Sequence, residues 1–323
     1  MKKIRIGIIG CARIAERTMI PAIRSMEEFQ LVAVASREKV KAEAFAQKFS
    51  CEAVCGYETL LQRSDIDAVY IPLPTSLNYE WSSKALESGK HVFVEKSITD
   101  HSTKAEHLVR LSVKNQVVVM ENFAFLYHSQ MNTVQVYVDS GEIGEIRLFR
   151  SSFGFPPFLD KTNIRYSKEL GGGSLLDAGA YALRATQAFL GSSIEVLSAS
   201  LLISPEHGVD IQGSAMLRSR DNIVSQIAFG FDNFYQNNIE LWGTKGKIVV
   251  ERAFTAQPEF RPKLVIEKQN KKLELSLAVD NQFKNILQAF YRSIIDRTHV
   301  DLHEELLIQS RLLTQVRQHA EEI

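Results

Sequence analysis

Lys96 directly follows the run His91-Val92-Phe93-Val94-Glu95. In open α/β sheets ligands bind beyond the carboxyl ends of the strands. A lysine there is placed to donate a proton or hydrogen bond to a substrate oxygen, with Glu95 orienting it or holding a ribose hydroxyl. An ordinary surface ion pair would use the same two residues. Further on, Asp177, Tyr181 and Arg184 lie at helical spacings of 0, 4 and 7, which stacks them on one face. Ala178, Ala182, Ala185 and Phe189 repeat at 0, 4, 7 and 11 and form an apolar stripe on another face. A tyrosine, with an ordinary pKa of about 10, keeps its proton at neutral pH and can hand it to a carbonyl oxygen that receives hydride. The alternative is a hydroxyl that caps a domain contact. Gly171, Gly172 and Gly173 precede this segment and permit close approach of a ligand or of another domain's backbone. The long stretch ahead of them, with Phe153, Phe155, Phe158, Asn163, Arg165 and Tyr166, reads as a wall for a sugar-sized substrate.

A third site lies at the start of the chain. Gly7-Ile8-Ile9-Gly10-Cys11-Ala12-Arg13-Ile14-Ala15 approximates a dinucleotide fingerprint, with Gly10, Ala12 and Ala15 at the small positions. Small residues there let the backbone and a helix N-terminus approach a pyrophosphate. A tight strand-to-helix turn without ligand is the alternative. The end of the second strand decides between the two nicotinamide cofactors, because an acid there accepts from a ribose 2′-OH and repels a 2′-phosphate. Here Ala35 is followed by Ser36 and Arg37, with no acid until Glu38. A hydroxyl and a guanidinium suit a phosphate dianion, so NADP(H) is the expected cofactor. Stacking of Arg37 on adenine would leave both cofactors usable.

The elements that must position these groups follow from periodicity. Residues 4–9, 30–35, 68–72, 91–94 and 116–120 are short β-branched runs, and helical patterns at 14–26, 38–49, 79–87 and 102–114 separate most of them. That alternation predicts a doubly wound parallel sheet. After about residue 122 strand-like runs dominate, at 146–152, 196–203, 211–218, 223–229, 239–242, 247–251, 263–267 and 273–277, with one long helix over 173–190. This half reads as α+β with a mainly antiparallel sheet. Two amphipathic helices close the chain, at about 283–294 and 304–322. The expected domains are 1–121 for the dinucleotide and 122–300 for substrate and oligomer contacts. Residues 301–323 form a helix expected to pack back on the first domain.

Composition excludes several classes. At 323 residues, 45% hydrophobic and 24% charged, the chain has room for two ordinary cores. Lys+Arg and Asp+Glu both number 38, which leaves no basic field for nucleic acid or an anionic membrane. No apolar run reaches the ~20 residues of a spanning helix. Arg5, Arg13 and Glu16 break what would otherwise resemble a secretory start ending at Cys11. Three scattered cysteines argue for a reducing, cytoplasmic setting, and neither they nor the eight histidines show metal-ligand spacing.

Four blocks, GIIGCARIA, IPLPTSLNYEW from Ile71 to Trp81, VEKS, and GGGSLLDAGAY from Gly171 to Tyr181, together resemble the glucose–fructose oxidoreductase/inositol dehydrogenase/rhizopine catabolism (Gfo/Idh/MocA) family. The resemblance covers nearly the whole chain. It implies a Rossmann domain followed by an open, mainly antiparallel sheet, hydride transfer at a sugar or polyol carbon, and a homodimer or homotetramer. Lys96 matches the lysine of the family's E-K-P motif, Asp177 its second-domain acid, and Tyr181 the position that is histidine in inositol dehydrogenases. The tyrosine and Ser36-Arg37 are most similar to NADP-dependent nucleotide-sugar 3-ketoreductases, which implies reduction of C3 in a nucleotide-linked keto-deoxyhexose. An aldose, polyol or dihydrodiol dehydrogenase, or an NADP-binding regulator without turnover, are the other readings.

The resemblance implies Lys96, Tyr181 and Asp177 as catalytic residues. Gly7, Gly10, Cys11, Ala12, Arg13, Ile14, Ser36, Arg37, Pro72, Leu73, Thr75, Asn78, Glu95 and Lys96 are expected to hold the cofactor. Asn122, Phe155, Arg165, Asp177 and Tyr181 are expected to meet the substrate. Four departures stand out: Ser97 for proline, Asn78 for histidine, Leu126 for arginine and Ser129 for proline. A cis bond ahead of a non-proline residue costs ~2.5 to 4 kcal/mol, so the residues leave open whether Lys96–Ser97 is cis as in the family pattern or trans, and with it the placement of Lys96.

Overall fold

The computed structural model describes residues 3–298 and 300–323, which divide into two compact units. The first contains the chain up to Asn122 together with Phe283–Leu307. Its strands are β1 (Ile4–Ile9), β2 (Phe29–Ser36), β3 (Glu52–Cys55), β4 (Ala68–Ile71), β5 (His91–Glu95) and β6 (Val119–Asn122). They form a parallel sheet in the order β3-β2-β1-β4-β5-β6, a doubly wound topology whose order reverses between β1 and β4. All four residues of β4 are buried, as a strand covered by helices on both faces requires. β3 and the short helix Tyr57–Leu61 escape the periodicity reading because four or five residues carry too little pattern.

The second unit, Phe123–Gln282 with Ile308–Ile323, is built on a nine-stranded sheet. Its strands are β7 (Ile146–Gly154), β8 (Ile194–Ile203), β9 (Asp210–Ser219), β10 (Val224–Gly230), β11 (Gln236–Gly243), β12 (Gly246–Glu251), β13 (Lys263–Lys268), β14 (Lys271–Ser276) and β15 (Ala320–Glu322). The order is β14-β13-β12-β11-β7-β10-β9-β8-β15, antiparallel except where β7 meets β10 and β8 meets β15. Burial alternates along β9, so one sheet face is covered and the other is open. The covering helix, Ala180–Leu190, stacks Phe189 on Phe149 of β7 at 5.9 Å and ties Thr186 to Ser225 of β10 at 2.9 Å. A further helix, Ser129–Asp139, lies where no helix was expected, because the Val134, Val136, Tyr137 and Val138 run has strand propensity that tertiary packing overrides.

The end of the chain corrects the expected boundaries. Helix Gln282–Asp296 belongs almost entirely to the first unit, where Phe290 packs on Phe93 at 5.3 Å and Tyr291 on Phe29 at 6.0 Å. The last helix, Val300–His319, is shared between the units. His303 bonds Ser112 in the first unit at 2.8 Å, whereas Gln309 donates to the Ala180 carbonyl in the second at 2.9 Å. Only its opening turns therefore pack on the first domain. The remainder feeds β15 into the second sheet, because its apolar residues Ile308, Leu312, Leu313 and Val316 complete that unit's core.

Candidate active site

In the first unit β1 delivers the chain to Gly10, whose φ of +112° favours glycine and whose N–H donates to the Ala35 carbonyl at 2.9 Å. A Cβ at Gly10 would stand 2.8 Å from Leu73 Cδ2, so the turn closes on the end of β4. Gly7 has a different task. Its missing Cβ makes room for Leu60 and Ile66, which is packing within the sheet layer. Beyond the turn Arg13 and Ile14 are exposed, while Cys11 is half-buried with Sγ directed at the Lys41 carbonyl, 3.8 Å away. Burial raises its thiol pKa. The helix expected from residue 14 opens instead as a wide turn, with the Ile20 N–H reaching the Ala15 carbonyl. Pro21 follows in the first turn of Ile20–Arg24, and lacking an N–H it cannot continue the regular ladder.

At the end of β2 the Ser36 Oγ accepts the Glu38 N–H at 3.2 Å, which folds the turn so that Arg37 is exposed. The Ser36 hydroxyl keeps its own proton to donate. Tyr57 lies within the electrostatic reach of Arg37; burial, the largest influence, raises its phenol pKa and Arg37 opposes the shift. Small residues at the pyrophosphate turn and an exposed guanidinium where an acid would select NAD give a chemical fit to NADP(H).

Around Lys96 the arrangement is tighter than sequence suggests. The Lys96–Ser97 peptide bond, which the sequence left open, is cis. Asn78, fully buried on helix Thr75–Glu87, donates its amide to the Glu95 carbonyl at 3.1 Å and to the Ser97 carbonyl at 3.0 Å. It thereby holds the backbone on both sides of Lys96, while its Oδ1 has no partner among the described residues. Glu121, overlooked in the sequence reading, accepts the Ile98 N–H at 2.7 Å. The Glu95 carboxylate receives the Tyr70 hydroxyl at 2.5 Å and the Asn122 amide at 2.6 Å. Burial raises its pKa. Asn122, expected at the substrate, thus has its amide directed at Glu95 and at Met19 Sδ, 3.7 Å away.

The second unit gathers Arg165, Asp177 and Tyr181. Arg165 Nε donates to Asp177 Oδ2 at 2.5 Å, and Asp177 raises the guanidinium pKa. The Arg165 guanidinium also lies 5.0 Å over the Phe158 ring. The Tyr181 ring sits among Phe123, Phe125, Phe153 and Phe254, with centroids 5.2 to 5.8 Å away. Phe155 packs one layer further on, against Phe153, Phe158 and Phe231. Arg184 does not share an open polar face with Asp177 and Tyr181. It is buried, bonds Gln187 at 2.6 Å and lies over Phe123. A wide turn at Leu175–Gly179, where the Ala180 N–H reaches the Leu175 carbonyl, shifts the helical phase of Asp177 relative to Tyr181 and Arg184, which share the regular helix beyond it. Among the described residues no three His, Cys, Asp or Glu side chains gather to hold a metal ion. No described helix is long and apolar enough to cross a membrane.

A doubly wound sheet with this turn, joined in one chain to an open-sheet unit carrying an Asp–Arg pair and a ring-boxed tyrosine, defines a two-unit dinucleotide-dependent oxidoreductase. Residues 4–123 match the model of the oxidoreductase family with an NAD-binding Rossmann fold, and residues 131–249 match the GFO/IDH/MocA C-terminal domain. The chain belongs to the Gfo/Idh/MocA family. It is 46% identical over 300 residues to a dTDP-3,4-didehydro-2,6-dideoxy-α-D-glucose 3-reductase of Saccharopolyspora spinosa, covering 93% of this chain and 90% of that one. An Actinomadura kijaniata reductase of the same name is 39% identical, with 99% and 96% covered. The crystal structure of a 3-ketoreductase from Actinomadura kijaniata with NADP and TDP-benzene matches with a TM-score of 0.97 at 38% identity, covering 100% of this chain and 99% of that one.

Proposed function

We propose that the protein reduces the C3 ketone of a dTDP-linked 3,4-diketo-2,6-dideoxyhexose with NADPH. Support comes first from the Arg165–Asp177 pair beside Tyr181, in a chain 46% identical to a reductase of that name. Gly10 to Ile14 would face the pyrophosphate, Ser36 and Arg37 the 2′-phosphate, and Pro72, Leu73, Thr75 and Glu95 the nicotinamide half. NADPH, when bound, supplies the hydride. Tyr181 donates a hydrogen bond and then its proton to the ketone oxygen, and the Lys96 ammonium shares that donation. Asp177 fixes Arg165 through Nε, the guanidinium's one side-chain hydrogen bond among the described residues. The two terminal amino groups are then available to an oxyanion such as the substrate diphosphate. Phe155 forms part of the wall around the sugar.

The open face of the second sheet exposes Trp242, Met216 and Leu197, and this face pairs with a second copy of the chain. The cysteines are all unpaired, which suits a cytoplasmic enzyme.

The test is NADPH oxidation with the dTDP-linked diketo-sugar generated in situ, using wild type, Tyr181→Phe, Lys96→Met and the double variant. Each single change should lower turnover by ~10² or more and leave NADPH affinity nearly unchanged. Undiminished turnover in the double variant would remove both residues from the chemistry.

A further inference from the structure

The glycine-rich turn before Tyr181 resembles an anion cradle, since a helix N-terminus offers unsatisfied N–H groups and positive potential. Its first N–H is already taken. Asp210, at the start of β9 and 35 residues further along the chain, accepts the Leu175 N–H at 2.6 Å and the Ser174 hydroxyl at 2.8 Å, both through Oδ2. Ser174 therefore serves as a donor to Asp210 and makes no cap bond of its own. Asp210 is buried, 7% exposed. A Cβ at Gly173, where φ is +109°, would stand 2.3 Å from Asp210 Oδ1. A Cβ at Gly172 would stand 2.4 Å from the Arg165 carbonyl, which in turn accepts the Gly173 N–H at 3.0 Å. The glycines are thus needed for contact with this unit's own carboxylate and carbonyl.

We propose that Asp210 is a positioning residue for the reaction: it fixes the turn that holds Arg165 against Asp177 and aims Tyr181. This inference rests on the ketoreductase reading for its kinetic consequence, but not for its structural one. One carboxylate grips the first turn of the helix. Two residues beyond Leu175 comes Asp177, and four beyond that comes Tyr181. The Asp177 N–H bonds the Gly173 carbonyl at 3.3 Å, whereas the Ala180 N–H reaches back five residues to Leu175, so the grip of Asp210 on Leu175 and Ser174 holds the residues from which this wider turn is hung. Misplacement of a catalytic group by about 1 Å costs on the order of 10² in rate.

Asp210→Ala should lower kcat by about 30-fold or more per NADPH-binding site, with the NADPH Kd within about twofold of wild type. Asp210→Asn can place its carbonyl oxygen where Oδ2 stands and accept both the Leu175 N–H and the Ser174 hydroxyl, so it should recover kcat to within about threefold. A residue that only stabilised the fold would reduce the number of NADPH-binding sites and leave turnover per site unchanged. Amide hydrogen exchange across Gly171–Tyr181 gives an activity-independent readout: faster in Asp210→Ala, near wild type in Asp210→Asn. If Asp210→Ala does not fold, Ser174→Ala removes one of the two bonds and should still lower kcat several-fold and quicken exchange in that peptide. Wild-type turnover per site in the alanine variants, equal losses in the Ala and Asn variants of Asp210, or unchanged exchange would each overturn the proposal. Absent turnover by wild type on the diketo-sugar would instead count against the substrate reading, and exchange alone would then decide the role of Asp210.

Discussion

In the proposed function, cofactor choice turns on Arg37 and Ser36. No carboxylate stands between Ala35 and Glu38 to accept from a ribose diol, and Arg37 is exposed at the strand end. Hydrogen bonds to charged groups are worth about 1.5 to 3 kcal/mol, so Arg37→Ala should weaken NADPH binding by about 10- to 150-fold. NADH binding should change little, and fluorescence titration with both cofactors measures the difference. Equal weakening of the two would mean that Arg37 stacks on adenine. This preference was legible because it depends on residue type next to a recognisable strand. Lys96, Asp177 and Tyr181 were picked out as candidates instead by their spacing and by the motifs they sit in. Asn78, Glu121 and Asp210 were not legible in their structural roles, since a buried or half-buried amide or carboxylate serving a backbone group 17 to 35 residues away leaves no periodic trace. Arg184 was misread as part of an open polar face because spacing tells which residues share a face and not whether that face is covered.

Two wide turns interrupt helices at the places where the chain presents candidate functional groups, at Ala15–Met19 behind the glycine turn after β1 and at Leu175–Gly179, which contains Asp177. Wide turns often mark functional sites, and hydrophobic periodicity is blind to them. Helix Ser129–Asp139 makes its own prediction. His128 caps it by accepting the Gln130 N–H through Nδ1 at 3.1 Å, and the ring is buried with Asp280 4.0 Å away. Burial, only partly offset by Asp280, lowers the pKa below the ordinary 6.5. The unfolded chain therefore binds a proton that the native state refuses. Stability contributed by the neutral ring is full above about pH 6.5 and is lost as pH falls toward the lower native value. His128→Asn keeps a capping acceptor but does not titrate. Chemical denaturation at about pH 7.5 and 5.5 should show a smaller acid loss for the variant, and an identical loss in both proteins would exclude His128 as a source.

At the scale of the whole molecule, the alternation of strands and helices up to residue 122 and the strand-rich remainder were enough to predict both sheets. The order reversal between β1 and β4 and the parallel pairing of β7 with β10 were not readable, because neighbours in a sheet need not be neighbours in sequence. The return of Gln282–Asp296 to the first unit escaped prediction for the same reason: its amphipathic stripe does not say which core it completes.

The open sheet face carries Trp242, 49% exposed, with the Arg150 guanidinium 5.4 Å over its ring. If this face joins two copies, Trp242→Lys should shift the mass in light scattering from dimer or larger toward monomer, because a second cation beside Arg150 would be costly to bury. A wild-type protein already monomeric at micromolar concentration would exclude the pairing.

The central claim is that hydride goes to C3 of a dTDP-linked keto-deoxysugar. The direct measurement uses NADPH deuterated at nicotinamide C4 on the transferring face, with the diketo-sugar formed in situ and the product read by NMR. The account predicts one deuterium at C3, a carbonyl retained at C4, and no incorporation in Tyr181→Phe over the same interval. Deuterium at C4, or a product without label while NADPH is consumed, would contradict it.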